Sequence, residues 1–149
     1  MSFLLTRLCL GAVGVTTLYY HQPSDTPSRI AFASRRDGNW EIYVTDAGGR
    51  TQTRLTRRRE QDRFPLWSPD RSKIAFGLQL STARFETWEL WVMDADGTNA
   101  RPLCSKLEAK GFREWSPDGT RIALTSNRDG DLEIYTVRAD GTGLSRLTN

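Results

Sequence analysis

The chain has 149 residues, a length that suits one domain and is short for two. Hydrophobic residues make up 38% of it and charged residues 26%, which excludes a chain that is disordered throughout. Its 21 basic and 18 acidic residues leave a net charge of +3, and its two cysteines exclude a disulfide framework and a thiolate zinc site. The one histidine, His21, lies near the N-terminus, so a histidine base or a pair of histidine ligands is excluded from the rest of the chain.

The first element in chain order is a hydrophobic segment, residues 1–21. An uncharged run from Leu8 to Tyr20 follows Arg7, as in the basic and apolar regions of a secretory signal. Residues 3–20 fall just short of the about 20 residues that span a bilayer. We expect an exported protein, either periplasmic or held on the outer side of a membrane by a tether through residues 3–20. The alternative is a packed element of the domain itself.

A linker of small polar residues and two prolines, residues 22–28, separates this segment from a repeat. A basic residue followed by Ile-Ala-Phe or Ile-Ala-Leu recurs in steps of 44 and 48 residues, and Glu-Ile-Tyr or Glu-Leu-Trp recurs in steps of 48 and 44. These runs begin at Arg29, Lys73 and Arg121 and at Glu41, Glu89 and Glu133, respectively. Because the longer step comes second for the first run and first for the second run, the second unit contains a four-residue insertion between the two runs, within Leu78–Thr87.

Each unit reads as a series of short strands separated by Asp-Gly turns, in which glycine supplies the positive φ that tight hairpins need. The predicted strands are 29–34, 40–46, 51–56, 64–67, 73–77, 87–94, 99–104, 112–115, 121–125, 132–138 and 143–148. A degenerate further strand is expected around Leu18–Gln22. The fold class is therefore all-β, with antiparallel hairpins that follow one another.

A repeat of about 45 residues with four antiparallel strands is typical of a β-propeller blade. The motif Trp-Ser-Pro-Asp, at Trp67-Ser68-Pro69-Asp70 and Trp115-Ser116-Pro117-Asp118, opens two of the units. With the Ile-Ala-Phe, Glu-Ile-Tyr and Arg-Leu-Thr runs, it resembles the WD-repeat-like blades of TolB and related periplasmic propellers. The same blades occur in the propeller portions of prolyl-oligopeptidase-type enzymes. The sequence departs from the pattern at Arg71, where glycine is usual, and at Pro102 and Cys104, which interrupt Arg-Leu-Thr.

The resemblance covers residues 29–149 and implies about three blades, at roughly 29–56, 57–104 and 105–149. Closed propellers have four to eight blades, so three blades form an incomplete ring. Two explanations stay open. Two chains can associate into a six-bladed ring, or the three blades are a portion of a longer propeller.

Most motif residues are expected to be structural. Proline ends the strand in Trp-Ser-Pro-Asp, the serine and aspartate bond the turn backbone, and the tryptophan packs between blades. The apolar positions expected in the sandwich between blades are Ile30, Phe32, Ile74, Phe76, Ile122, Leu124, Tyr43, Trp91, Tyr135, Ile42, Leu90 and Ile134.

The candidate binding residues are the arginine cluster Arg57, Arg58, Arg59 and Arg63, together with Phe85 in the inserted segment. A solvated loop is the alternative interpretation of the cluster, and a core position is the alternative for Phe85. No aromatic residues interleave the arginines, so we expect no nucleic-acid partner.

The sequence lacks G-x-S-x-G, P-loop and H-E-x-x-H motifs, and its Asp-rich turns place glycine too early for a calcium loop. We therefore expect no catalytic residues, metal or cofactor. The resemblance to TolB implies an exported scaffold that binds protein or peptide partners. The alternative is a partial propeller fragment of a larger peptidase-type or lyase-type enzyme.

Overall fold

The computed structural model describes residues 28–81 and 87–149, and within them the chain forms only strands, turns and loops. The strands are β1 (Arg29–Ser34), β2 (Glu41–Asp46), β3 (Gln52–Arg54), β4 (Asp62–Trp67), β5 (Lys73–Ser81), β6 (Thr87–Asp94), β7 (Arg101–Trp115), β8 (Arg121–Ser126), β9 (Glu133–Arg138) and β10 (Ser145–Arg146). The described residues include no helix of the length and apolarity that a membrane crossing requires. The hydrophobic segment, the strand expected around Leu18–Gln22 and all of the linker except Ser28 lie outside the described residues.

The strands form two antiparallel sheets that follow the predicted hairpins. β1, β2 and β3 make a three-stranded sheet, and β4 to β10 make a seven-stranded sheet in chain order. The first sheet contains the three strands of the first blade that lie within the described residues, and the second sheet contains the second and third blades. The all-β fold with propeller blades in an incomplete ring is confirmed.

The seven-stranded sheet is continuous because β7 belongs to two blades. The sequence predicts separate strands at 99–104 and 112–115, but the backbone remains extended between them. Ala109 pairs with Trp88 of β6 on one side and with Ser126 of β8 on the other. One residue therefore serves both neighbouring blades, which local strand propensity does not reveal.

The connection between the first and second blades is a loop, but its backbone also forms hydrogen bonds to the blades on both sides. The Asp62 N–H donates to the Trp40 carbonyl at 2.8 Å, and the Gln79 N–H donates to the Gln61 carbonyl at 2.9 Å. Both connections thus tie successive blades together at the same end of the molecule.

Apolar side chains fill the two gaps between blades. The cluster between the first and second blades contains Ala31, Ala33, Ile42, Val44, Ile74, Phe76 and Met93. The cluster between the second and third contains Leu66, Ala75, Trp88, Leu90, Val92, Leu103, Ala109, Trp115, Ile122, Leu124, Tyr135 and Val137. The second blade contributes to both clusters because alternate residues of a strand point to opposite faces of the sheet.

One of the positions predicted between blades is exposed. Ile42 and Leu90 are fully buried, but Ile134, at the same repeat position, is 40% exposed. Leu147 is 59% exposed, whereas its equivalent Leu103 is buried. The prediction for Ile134 is wrong because, among the described residues, no further blade covers that face of the third blade.

The Trp-Ser-Pro-Asp segments form the turns that join the two inner strands to β5 and β8. The Ser116 hydroxyl donates to Asp118 at 2.5 Å and accepts from the Arg121 N–H at 2.9 Å. These bonds hold the carboxylate charged, and the Ser116 bond is the largest cause that lowers the pKa of Asp118 to about 2. The Trp115 indole donates to the Leu66 carbonyl of the preceding blade at 3.2 Å. The motif therefore closes a turn and joins two blades.

Candidate functional site

The arginine-rich segment forms the connection between β3 and β4, at the end of the molecule where the blades are tied. We call residues 55–61 the arginine loop. The end formed by this loop and the β1–β2 hairpin, residues 35–40, is called the arginine face. The first blade positions both segments because the hairpin lies directly against the loop.

Side chains of the first blade hold the backbone of the arginine loop. The Asn39 amide nitrogen lies 3.0, 3.3 and 2.8 Å from the carbonyl oxygens of Arg58, Arg59 and Glu60. The Arg58 N–H donates to a Glu41 carboxylate oxygen at 3.0 Å. The loop therefore has a defined conformation although it is not part of a strand.

Glu41 is the centre of a buried network that fastens the loop to the blade. Its side chain is fully buried, and the Arg54 guanidinium donates to it at 2.9 Å. The Thr56 hydroxyl donates to the second carboxylate oxygen at 2.5 Å and accepts the Ile42 N–H at 2.9 Å. The threonine hydroxyl thus replaces a backbone carbonyl where β3 ends. A buried carboxylate with a guanidinium and several other donors meets the condition that makes buried charge tolerable.

The third blade repeats this network and the second lacks it. Arg146 donates to Glu133 at 2.7 Å, and Thr148 also donates to Glu133. In the second blade, Pro102 and Cys104 occupy the arginine and threonine positions of the repeat. The departures noted in the sequence therefore remove both partners of the glutamate in that blade.

Two of the four predicted arginines lie on tryptophan rings and are partly buried. The Arg58 guanidinium carbon is 4.0 Å from the centre of the Trp91 ring, and that of Arg63 is 4.5 Å from Trp40. Arg63 also lies 5.9 Å from the ring of Trp88. Cation–π contacts of this kind contribute about 0.5–2 kcal/mol each. Arg58 therefore fastens the arginine loop to β6 of the second blade, and Arg63 of β4 fastens the second blade to the β1–β2 hairpin of the first.

The other two arginines point to solvent. Arg57 and Arg59 are both exposed, and within the described part of the chain neither guanidinium forms an ion pair. Arg35 of the adjacent hairpin is exposed in the same way. Phe85, the fifth candidate, lies outside the described residues. The structure thus divides the predicted cluster into two scaffold arginines and two that are available for contact.

A buried carboxylate lies beneath the loop. Asp62 is fully buried, and neither carboxylate oxygen accepts a hydrogen bond in the structure. Arg58 approaches it at 3.8 Å. Burial raises the pKa of Asp62 to about 7, against smaller lowering effects of the nearby Thr56 hydroxyl and of Arg58 and with a further rise from Glu41. The proton on Asp62 therefore changes near neutral pH, next to the residue that anchors the loop.

The Trp-Ser-Pro-Asp residues do not join this site. The strands run from the arginine face to the opposite end, where the motif turns lie beside the Asp94–Gly97 turn. A groove of about 350 Å³ separates the turns, with Lys73 bonded to Asp94 at 2.8 Å along its edge. The motif residues thus lie in turns at the other end of the blades, away from the arginine face.

Several residues of the site were not predicted. Trp40 and Trp91 were not connected with the arginines, because the arginine loop, the β1–β2 hairpin and β6 meet only in the folded sheet. A signal for the glutamate network was present in the sequence: Glu41 precedes Arg54 by 13 residues and Thr56 by 15, and Glu133 precedes an arginine and a threonine by the same distances. No sequence pattern indicated that Asp62 is buried, since its burial depends on how the blades pack together.

Comparisons with known proteins find the same repeat elsewhere. The chain is 31% identical over 126 residues to the Tol-Pal system protein TolB of Desulfosudis oleivorans. The matched segment covers 85% of this chain and 28% of that protein. No protein-family profile matches the chain.

Solved structures of TolB proteins have the same arrangement of blades. A protein assigned as TolB from Agrobacterium tumefaciens matches with a TM-score of 0.69 and 26% identity, over 81% of this chain and 42% of its own. TolB from Acinetobacter baumannii matches with a TM-score of 0.68 and 24% identity, over 85% of this chain and 32% of its own. The chain thus spans well under half the length of each of these relatives.

The fold also occurs in enzymes. The acylaminoacyl peptidase of Pyrococcus horikoshii matches with a TM-score of 0.57 and 17% identity, over 93% of this chain and 25% of the peptidase. At this identity the likeness shows the fold alone. The repeat motifs, the blade topology and the relatives together identify the blades of this chain as TolB-like β-propeller blades.

Proposed function

We propose that the chain is a non-catalytic propeller module that binds a protein or peptide partner through the arginine face. The observation that carries the proposal is the arginine loop, which has a fixed backbone and presents Arg57 and Arg59 to solvent. Propellers commonly present their binding residues on loops that a rigid set of blades positions. A fixed loop loses little conformational entropy when it binds, which favours affinity.

The similarity to TolB supports a partner in the cell envelope. The relative from Desulfosudis oleivorans is named as a Tol-Pal system protein, and we extend an association of that kind to this chain. The proposal includes export, with residues 1–21 as the signal or as a tether through residues 3–20. Phe85 remains a proposed contact residue in the inserted segment.

Photo-crosslinking in the cells from which the gene comes tests this function. A photoreactive amino acid replaces Arg59 in the full chain, and a control chain carries it in place of Asp96, an exposed turn residue at the opposite end. We expect a covalent adduct with another protein from position 59 and none from position 96. Absence of an adduct from position 59, or equal adducts from both positions, would contradict the proposal.

The enzyme alternative is tested separately. Peptidase and lyase propellers share the fold of this chain at 16–18% identity, and their catalytic groups are not implied by that likeness. We expect no turnover when the full chain is incubated with chromogenic peptides and with oligogalacturonate. Turnover that survives repurification and scales with protein concentration would show that the chain acts as an enzyme.

A further inference from the structure

We propose that the arginine face selects an acidic segment of its protein partner through Arg57 and Arg59, with Arg35 beside them. This inference rests on the proposed function, because it specifies the chemistry of the partner at the same surface. Three features of the described residues support it. Within the part of the chain that the structure describes, some arginine side chains have no partner, most nearby carboxylates are buried or paired, and arginine side chains already cover the nearby tryptophan rings.

The available positive charge is on a few defined side chains. Arg58 and Arg63 are held on tryptophan rings, and Arg54 is paired with Glu41 at 2.9 Å. Arg57 and Arg59 are two residues apart on a loop whose backbone is bonded to Asn39. Because their backbone positions are fixed, carboxylates of suitable spacing can meet both guanidinium groups at once. Guanidinium groups recognise carboxylates with paired hydrogen bonds, a geometry that an ammonium group lacks.

Apart from Glu60, the carboxylates of the arginine face are buried or already paired and do not neutralise these cations. Glu41 and Asp62 are fully buried. Asp37 is exposed but accepts the Tyr43 hydroxyl at 2.5 Å and forms an ion pair with Arg54 at 3.3 Å. Among the described residues of this face, Glu60 is the exposed acid without such a partner. The available arginines of this face therefore carry more positive charge than Glu60 can neutralise.

The aromatic rings beside the loop are already covered. Arg63 lies over Trp40 and Arg58 over Trp91. Nucleic-acid grooves of the single-strand type need open rings on which bases stack, so the covered rings favour a protein partner over a nucleic acid.

Polybasic segments that bind anionic membranes have about four to eight basic residues. Arg36 of this face is also exposed, but its guanidinium donates to the Ser34 hydroxyl at 3.0 Å and lies 4.8 Å from the centre of the Tyr43 ring. Among the described residues of the face, Arg35, Arg57 and Arg59 are the arginines left available, and three is below that range, so a membrane surface is also disfavoured.

Fluorescence anisotropy with simple anionic probes tests the inference on the full chain. The probe is a fluorescein-labelled peptide of alternating glutamate and serine, and a glutamine and serine peptide is its neutral match. The variant is Arg57→Glu with Arg59→Glu. The control is Arg50→Glu with Arg101→Glu, which makes the same charge change at two exposed residues of the opposite end.

We expect the glutamate peptide to bind and the glutamine peptide to remain free. The Arg57→Glu, Arg59→Glu variant is expected to weaken binding at least about tenfold, and an increase from about 50 mM to about 300 mM sodium chloride to weaken it similarly. The control variant is expected to bind within about twofold of the native chain, since charges at the far end are screened. Circular dichroism of both variants checks that the blades remain folded.

Three results would overturn the inference. They are equal binding of the two peptides, equal weakening by the variant and its control, and tighter binding of single-stranded DNA or of phosphatidylglycerol vesicles than of the glutamate peptide. The proposed function is judged by crosslinking from position 59. If position 59 forms an adduct but the chain does not bind the glutamate peptide, the inference of an acidic partner is wrong and the proposed function stands.

Discussion

Asp62 is the residue at which the fold changes side-chain chemistry most. The blades remove its carboxyl group from water and give it no hydrogen-bond donor, and Arg58 stays 3.8 Å away. Burial raises its pKa to about 7. Between pH 4 and pH 7 the folded chain keeps this proton while the unfolded chain loses it. The contribution of Asp62 to the free energy of unfolding therefore falls as the pH rises through that window and is constant above it.

Asp62→Asn removes this penalty because an amide does not ionise. We expect the variant to be more stable than the native chain at pH 8, by about 2–4 kcal/mol from a shift of about three pKa units. At pH 4 the two should unfold at nearly the same urea concentration. The measurement is urea unfolding followed by tryptophan fluorescence at both pH values.

The exposed Asp131→Asn is the matched control for this prediction, since it makes the same chemical change far from the arginine loop. It should follow the native chain at both pH values. An Asp62→Asn chain that is less stable than the native chain at pH 8 would show that the ionised carboxylate is held by Arg58, contrary to the account.

At the scale of elements, the turns between strands set how closely neighbouring blades approach. Gly141 lies in the β9–β10 turn with φ +92°, and a Cβ placed there would overlap the carbonyl oxygen of Leu103. Gly130 has φ +113° in the β8–β9 hairpin, but a Cβ there would meet no atom within 4 Å. Both glycines have a positive φ that strains any residue with a Cβ, but only Gly141 lies against another blade.

Gly141→Ala is therefore expected to cost clearly more stability than Gly130→Ala. The positive φ alone costs about 1 kcal/mol in an alanine variant, and Gly141→Ala must in addition displace the backbone of β7. Urea unfolding of the two variants gives the comparison directly. Equal losses of unfolding free energy would mean that the third blade does not approach the second as closely as the structure shows.

Elements also show where sequence reasoning succeeds and where it stops. The hairpins were predictable because apolar alternation and Asp-Gly turns are local, and β1 has the bounds that the sequence predicts, Arg29–Ser34. The continuity of β7 was not predictable, because it depends on Ala109 pairing with strands on both sides. The arginine loop was recognisable by composition, but the division of its arginines depends on Trp40 and Trp91, which are distant in sequence.

At the scale of the whole molecule, two isoleucines at the same repeat position differ in whether a neighbouring blade covers them. Ile42 is fully buried between the first and second blades, whereas Ile134 is 40% exposed on the third. The residue type and the repeat position are the same. Burial against a neighbouring blade is therefore a property of the place of a blade in the array, as expected of repeat proteins, in which each unit contacts only its neighbours.

Ile42→Ala should cost about 2–5 kcal/mol of unfolding free energy, the usual range for removing a buried aliphatic side chain. Ile134→Ala should cost well under half as much, since its side chain is partly in water. Thermal or urea unfolding of the full chain distinguishes them. A loss at Ile134 as large as at Ile42 would show that another blade or a second chain covers the third blade in solution.

Hydrogen–deuterium exchange of the arginine loop tests the central claim most directly, namely that a rigid loop presents Arg57 and Arg59. The Arg58 N–H is bonded to buried Glu41 and the Asp62 N–H to the Trp40 carbonyl. Both amides should exchange as slowly as the amides within β2, while the Arg59 amide exchanges quickly. Fast exchange at Arg58 and Asp62, at the rate of an unstructured peptide, would show that the loop is not held and would contradict the account.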